Sequence, residues 1–506
     1  MELSRGFKRL LVVAAIAYAV WLGWYHSPYA GGSDSSGYLN SARLLLEGKI
    51  TTQPRLLSGA PADLLEPLHY VAPGFRLTLK QPGVSPTYPI GLPLHLAAAG
   101  LVVDLEHAAT VVSLLAAAAL AGLLYLCARE FGVRPNWSAS LAALFLLSPL
   151  TLFLSLQPLS DQVATVWAIA VVYCALRADR HLGWAAGAGL ALAVAVLVRP
   201  TNLLLFLPAA IALPARVRPW LAFLLAGLPG AAFLAFYNHT LHGAAWSTGY
   251  GSLGYLVDRA YIWVTLRHYA IWVPVVATPL AVAALALPWL RLERRKKAVL
   301  LAWSGSLLFF YAGYYCTHEA WWYLRFILPA LPAVGIAAAL ALQAVPYPGW
   351  LISAQRLPAA SADPAGGHGL RFTLPPWLLV FSVLWLAVWS RQLHVSIVEL
   401  EERPYRQVGR WAAEQLPANA VLCADQVAGA VIFYSDRPFI RPDRFTPASY
   451  ARFNAFLATR NLELYAALFS YEEPDFFQHH MPGRWEPVQR FRQVTIWRRT
   501  GLNPSP

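Results

Sequence analysis

AATVVSLLAAAALAGLLYLCA, residues Ala108 to Ala128, is mostly apolar and carries no charge. A helix needs roughly 20 such residues to cross about 30 Å of hydrocarbon. Working outward from it, comparable stretches recur at Trp137 to Leu156, His268 to Leu290 and Ala298 to Tyr315. Across all 506 residues, 58% are hydrophobic and only 13% charged, well away from the balance of a soluble domain. The reading is an all-α polytopic membrane protein of about eleven transmembrane helices.

The formal net charge of +13 does not point to nucleic acid, because the basic residues sit in short loops between spans, where they set orientation. Arg5, Lys8 and Arg9 precede an apolar run from Leu10 to Trp24. That run fits a retained first helix better than a secretory signal, since Trp21, Trp24 and Tyr25 are interfacial anchors. The segment Tyr88 to Val103 is marginal for a span. If it does not cross, Arg129/Arg134, Arg177/Arg180, Arg216/Arg218, the run Arg291 to Lys297, and Arg356/Arg371 all fall on the cytoplasmic side. If it crosses, they all fall outside, so the first option is preferred. The N-terminus is then cytoplasmic and the C-terminus outside. The first outer loop (residues 26–106), the turn Gln157 to Gln162, the loop Asn238 to Arg267 and the turn Thr317 to Arg325 share the outer face.

After the membrane domain (residues 1–390) the composition changes. Charges become frequent, and short apolar runs (Ala420 to Ala424, Ala428 to Tyr434, Val494 to Trp497) alternate with a helical pattern at Tyr405 to Gln415. Residues 391–506 read as a small extracytoplasmic α/β domain. Pro346 to Pro375, rich in Pro, Gly, Ala and Ser, reads as a cytoplasmic loop. Cys127, Cys174, Cys316 and Cys423 show no CxxC pairing, so neither a disulfide framework nor a thiolate metal site is supported.

Two acidic residues stand beside hydrocarbon on the outer face. Asp34 lies in Gly31-Gly-Ser-Asp-Ser-Ser-Gly-Tyr38, ahead of an amphipathic helical pattern at Leu39 to Glu47. Asp161 lies in Leu156-Gln-Pro-Leu-Ser-Asp-Gln162, between two spans. Each could simply cap a helix. Together they are what a site needs to deprotonate an acceptor and stabilise cationic character at an anomeric carbon. Arg199 and Arg325 sit at outer span ends, where a half-buried guanidinium seeks an anion: a lipid phosphate, or an ion-pair partner such as Asp161 or Glu319. His318 and Glu319, with His26 or His69, are the candidates for a divalent metal ion, though their spacing matches no recognisable ligand pattern.

The chain resembles the GT-C superfamily of polytopic glycosyltransferases, in particular the bacterial branch related to protein O-mannosyltransferases and aminoarabinose transferases. The carriers, over roughly Leu10 to Gln343, are Ser33-Asp34-Ser35 with Gly37-Tyr38, Pro86-Thr-Tyr-Pro-Ile-Gly-Leu-Pro93 in place of a Tyr-Pro-Pro segment, and Ser160-Asp161. Further along come Val198-Arg199-Pro200-Thr-Asn202, Asn238 with Gly243 and Thr248-Gly-Tyr250, and Arg325-Phe-Ile-Leu-Pro-Ala-Leu-Pro332. The resemblance implies a polyprenyl-phosphate sugar donor, a lipid, glycan or protein acceptor, Asp34 as general base, and Asp161 assisting acceptor or metal binding. It also implies that Arg199 and Arg325 face the lipid phosphate and that Tyr38, Tyr88, Asn202 and Tyr250 contact substrate. Thr87-Tyr88-Pro89-Ile90 lacks the Glu or Lys often found there, so the resemblance implies neither an aminoarabinose-type donor contact nor any specific sugar.

The expectation is therefore an inverting glycosyltransferase of the cytoplasmic (inner) membrane. The rival is a transporter or flippase of lipid-linked sugars, which should place charges mid-span and show repeated halves.

Overall fold

A computed structural model describes residues 5–61, 63–79, 83–345 and 375–501. The expected cytoplasmic loop, with Arg356 and Arg371, falls almost wholly outside these. The chain opens with α1 (Arg5–Tyr25) and α2 (Gly32–Leu46), then β1 (Phe75–Leu77) and β2 (Val84–Pro86), an antiparallel pair with Leu77 opposite Val84. The membrane part continues through α3 (Gly91–Gly100), α4 (Leu105–Glu130), α5 (Pro135–Leu147), α6 (Pro149–Ser155), α7 (Ser160–Leu176), α8 (Leu182–Val198) and α9 (Phe206–Ala212). After these come α10 (Val217–His242), α11 (Leu253–Leu256), α12 (Ile262–Ala277), α13 (Arg294–Ala312), α14 (Leu331–Ala344) and α15 (Pro376–Gln392).

Among the described residues, three helical stretches are long and apolar enough to cross a membrane alone: Leu105–Glu130, Val217–His242 and Trp321–Ala344. Three bent pairs qualify if each is one span, and four shorter apolar helices lie among them. The chain is a multi-pass membrane protein. Prolines mark two of these breaks: Pro149 starts a new helix at a 59° bend, and Pro279 does so at 112°. The α3 helix has 10 residues, about 15 Å at 1.5 Å each, half the hydrocarbon thickness. That fits a segment that dips in without crossing. Arg177 and Arg180 pair with Glu130 at 3.1 and 2.6 Å, and Arg295 with Asp179 at 3.2 Å, so the basic loops gather at one end of the bundle.

The C-terminal part runs α16 (Val398–Glu414), β3 (Ala420–Ala424), α17 (Ala428–Tyr434), β4 (Phe439–Ile440), α18 (Pro447–Thr459), β5 (Glu463–Phe469), α19 (Glu473–Asp475), β6 (Arg484–Phe491) and β7 (Val494–Gly501). Its five-stranded sheet has the order β4-β3-β5-β7-β6. β3 is parallel to β4 and β5, and β7 is antiparallel to β5 and β6. The apolar run Ala428 to Tyr434 is a helix between two parallel strands, as a parallel connection demands.

This sheet does not bury itself alone. One face packs on α16 and α17 together with Val71, Ala72, Phe75 and Val84 of the loop between α2 and α3. The other packs on α18 together with Leu57, Leu64, Leu65 and Tyr70 of the same loop. The loop between α2 and α3 and the C-terminal part thus share both apolar cores.

Candidate active site

Two sequence expectations about α2 change. Asp34 does not precede the helix but lies in its first turn, because Gly31, extended at φ −85°, takes the N-cap position with no side-chain cap. Nor does α2 lie on a lipid surface: Ser35 to Ala42 are all buried, since the helix is enclosed by the membrane bundle and the C-terminal part. Likewise Asp161 does not cap α7. Leu159 holds that place, and Asp161 sits in the first turn with 0% exposure.

Four ionised side chains from four separate segments meet here. Arg325 Nη2 donates to Asp34 Oδ2 at 2.6 Å, and its Nε donates to Asp161 Oδ1 at 3.2 Å. Arg199 Nη2 donates to the same Asp161 oxygen at 2.5 Å, and its Nη1 to the Arg325 carbonyl at 3.2 Å. Both guanidiniums lie over the ring of Phe326, at 5.5 and 5.7 Å. Two carboxylates and two guanidiniums balance to zero, which is how a buried charged cluster escapes a large desolvation cost.

The local sequence places each member. Pro200 forbids a smooth continuation of α8, so Arg199 adopts extended backbone (φ −146°) between α8 and the 3-10 segment Pro200–Leu205. Arg325 lies in the 3-10 segment Trp321–Ala330, ahead of α14. Asp34 retains 30% of its side-chain exposure. Burial acts to raise its carboxyl, but Arg325, the Tyr88 hydroxyl and Arg199 outweigh that and hold it below the usual carboxylate range.

The tyrosines line one wall. Tyr38 Oη donates to Ser160 Oγ at 2.9 Å, and its ring packs on Tyr88 with centroids 5.0 Å apart. Tyr88 in turn meets Tyr250 edge-on at 6.3 Å. A Cβ on Gly37 would stand 2.3 Å from the Tyr88 ring, so glycine is what lets that ring lie against α2. A Cβ on Gly249 would stand 1.9 Å from the Thr87 carbonyl, so the loop bearing Tyr250 rests directly on the Pro86 to Pro93 segment.

Asn202 is buried and turned to the end of α8, where Nδ2 donates to the Ala195 carbonyl at 3.1 Å. The sequence reading missed Tyr311, a buried tyrosine whose hydroxyl pairs with Thr201 Oγ1 at 2.6 Å. Its one signal is a phenol inside an apolar span.

The metal candidates are dispersed. His26 is engaged by Thr110 and Ser113, at 3.0 and 3.1 Å, and His69 Nδ1 lies 3.1 Å from the Glu66 carbonyl. His318 stacks on Tyr261 at 5.4 Å, and Glu319 is exposed. Among the described residues no three His, Cys, Asp or Glu side chains converge where a metal ion could sit.

No protein-family model matches the chain, and no curated protein sequence matches it. Solved structures do. ArnT from Cupriavidus metallidurans bound to undecaprenyl phosphate aligns with a TM-score of 0.61 at 14% identity, covering 99% of this chain and 100% of that one. AglB from Archaeoglobus fulgidus, an archaeal oligosaccharyltransferase in complex with an inhibitory peptide and a dolichol-phosphate, gives 0.52 at 12%, covering 94% and 71%. Arabinofuranosyltransferase AftD from Mycobacteria gives 0.53 at 16%, covering 99% and 42%. With ArnT matched end to end and both acids and both arginines gathered where α2 meets the bundle, the chain has the fold of the GT-C glycosyltransferases.

Proposed function

We propose that the protein is a glycosyltransferase that moves a sugar from a polyprenyl-phosphate donor to a lipid, glycan or protein acceptor at the outer face of the cytoplasmic membrane. The observation that carries this reading is the neutral Asp34–Arg325–Asp161–Arg199 cluster, at helix ends and not mid-span. Its place favours surface chemistry over transport along a path through the bundle.

Arg325 Nη1 has no protein acceptor among the described residues, and a guanidinium presents five donors in one plane. A lipid phosphate would take that edge and draw Arg325 and Arg199 away from the carboxylates. As the hold on Asp34 loosens, its basicity rises towards that needed of a general base.

The acceptor oxygen bonds to the anomeric carbon while the bond from that carbon to the phosphate oxygen breaks, giving inversion. The acceptor proton goes to Asp34. The electron pair leaves on the polyprenyl phosphate, whose charge the two arginines stabilise. Asp161 Oδ2 is buried without a donor, a situation that costs roughly 1–3 kcal/mol and that a substrate hydroxyl would relieve. Asp161 thus holds the arginines with one oxygen and orients substrate with the other.

Asp34→Asn keeps the shape and removes the base. In membranes with matched protein levels, release of undecaprenyl phosphate from undecaprenyl-phosphate sugars should fall by roughly 100-fold or more. A near-normal rate would remove Asp34 from this role.

A further inference from the structure

The α2 helix has two working faces. At about 100° per residue, Asp34 and Tyr38 share one face, while Gly32, Ser36, Asn40 and Arg43 form a stripe on the opposite one. The first face meets the charged cluster. The second is seated on the C-terminal part.

That seat is tight. A Cβ on Gly429, in α17, would stand 2.2 Å from Ser36 Oγ and 2.7 Å from Ser36 Cβ, so the two helices touch backbone to side chain. Asn40 Nδ2 donates to the Gly429 carbonyl at 3.1 Å. Arg43 donates to the carbonyls of Phe433 and Ile432 at 3.0 and 3.1 Å, satisfying the C-terminal end of α17. Just ahead of α2, the Tyr434 hydroxyl of α17 accepts from the Ala30 N–H at 3.2 Å. A Cβ on Gly31 would collide with the Glu402 carboxylate at 1.5 Å.

We propose that the C-terminal part is a positioning element of the active site: α16 and α17 clamp the back of α2 and thereby fix Asp34 against Arg325. A soluble domain tethered only to gather acceptors would not need glycine-thin contact with the helix that bears the carboxylate. Nor would it need to bond the backbone N–H just ahead of that helix. Since a displacement of about 1 Å at a reacting group can cost about 100-fold, the seat matters to rate. The proposal rests on the reading of Asp34 as the base.

The test uses the full-length protein in membranes or nanodiscs, undecaprenyl-phosphate-linked hexose, pentose and 4-amino-pentose as donors, and release of undecaprenyl phosphate as readout. Gly429→Ala should lower kcat by roughly ten- to a hundredfold while leaving the donor KM within about twofold. Ser36→Gly, which removes the struck side chain, should restore most of that loss in the double variant. Tyr434→Phe adds no volume, removes the bond to the Ala30 N–H and should lower kcat about three- to tenfold, which keeps the test alive if Gly429→Ala does not accumulate. In the Asp34→Asn background, Gly429→Ala should have no further effect.

A Gly429→Ala or Tyr434→Phe protein with unchanged kcat overturns the clamp, as does a double variant no better than Gly429→Ala alone. Additive losses in the Asp34→Asn background overturn it too. If Asp34→Asn itself is fully active, the general-base reading fails instead, and the two failures are distinguishable.

Discussion

Removing both members of the Asp161–Arg199 pair should restore stability without restoring activity. Asp161 has 0% exposed surface and Arg199 only 7%. The guanidinium reaches the carboxylate at 2.5 Å, with Arg325 Nε on the same oxygen at 3.2 Å. Asp161→Leu leaves Arg199 buried with no carboxylate, and Arg199→Met leaves Asp161 with one guanidinium where it had two. Stranding one member of a buried pair costs about 3–5 kcal/mol, whereas replacing both with apolar residues of similar size is often neutral.

Each single variant should therefore unfold earlier in detergent. The double variant should recover at least about 2 kcal/mol relative to the sum of the singles, a coupling well above the ~0.5 kcal/mol seen for independent sites. Arg325 still has Asp34 at 2.6 Å, which limits what the double variant leaves unpaired. Equilibrium unfolding of the four proteins at matched detergent, alongside undecaprenyl phosphate release, checks this. Singles as stable as the parent, or a double variant that is strictly additive, would refute the view that this is a desolvated, mutually dependent pair.

Two further outcomes follow from named contacts. Burial, with Glu401 adding to it, pushes the Glu402 carboxyl from its ordinary 4.5 up to about 7. The folded protein therefore favours the neutral acid, so the seat of α16 on α2 weakens as pH rises from about 4.5 through about 7 and then levels off. Thermal unfolding from pH 4 to 8 should show that slope, and Glu402→Gln should remove Glu402's share of it. In the bundle, a Cβ on Gly189 of α8 would stand 1.9 Å from the Phe223 carbonyl of α10. Gly189→Ala should force the helices apart and destabilise by about 1–3 kcal/mol, as overpacking does; an unchanged unfolding midpoint would contradict this close crossing.

The sequence by itself determined the solvent and the outline. Charge-free runs of span length point to a bilayer, and after Arg391 the composition changes. Asp34, Asp161, Arg199 and Arg325 were legible for the same reason, because an ionised group beside hydrocarbon is costly enough to need a purpose.

Only the tertiary structure decided who partners whom. Arg325 lies 291 residues from Asp34 and 164 from Asp161, and no local pattern encodes such a pairing. The short apolar run Ala428 to Tyr434 could not announce itself as a helix, since brief apolar stretches fit strand and helix alike. Nor could the sequence reveal that α2 is held from behind by the C-terminal part. That depends on the rotation of one helix between two packed bodies, which is set by shape complementarity across hundreds of residues.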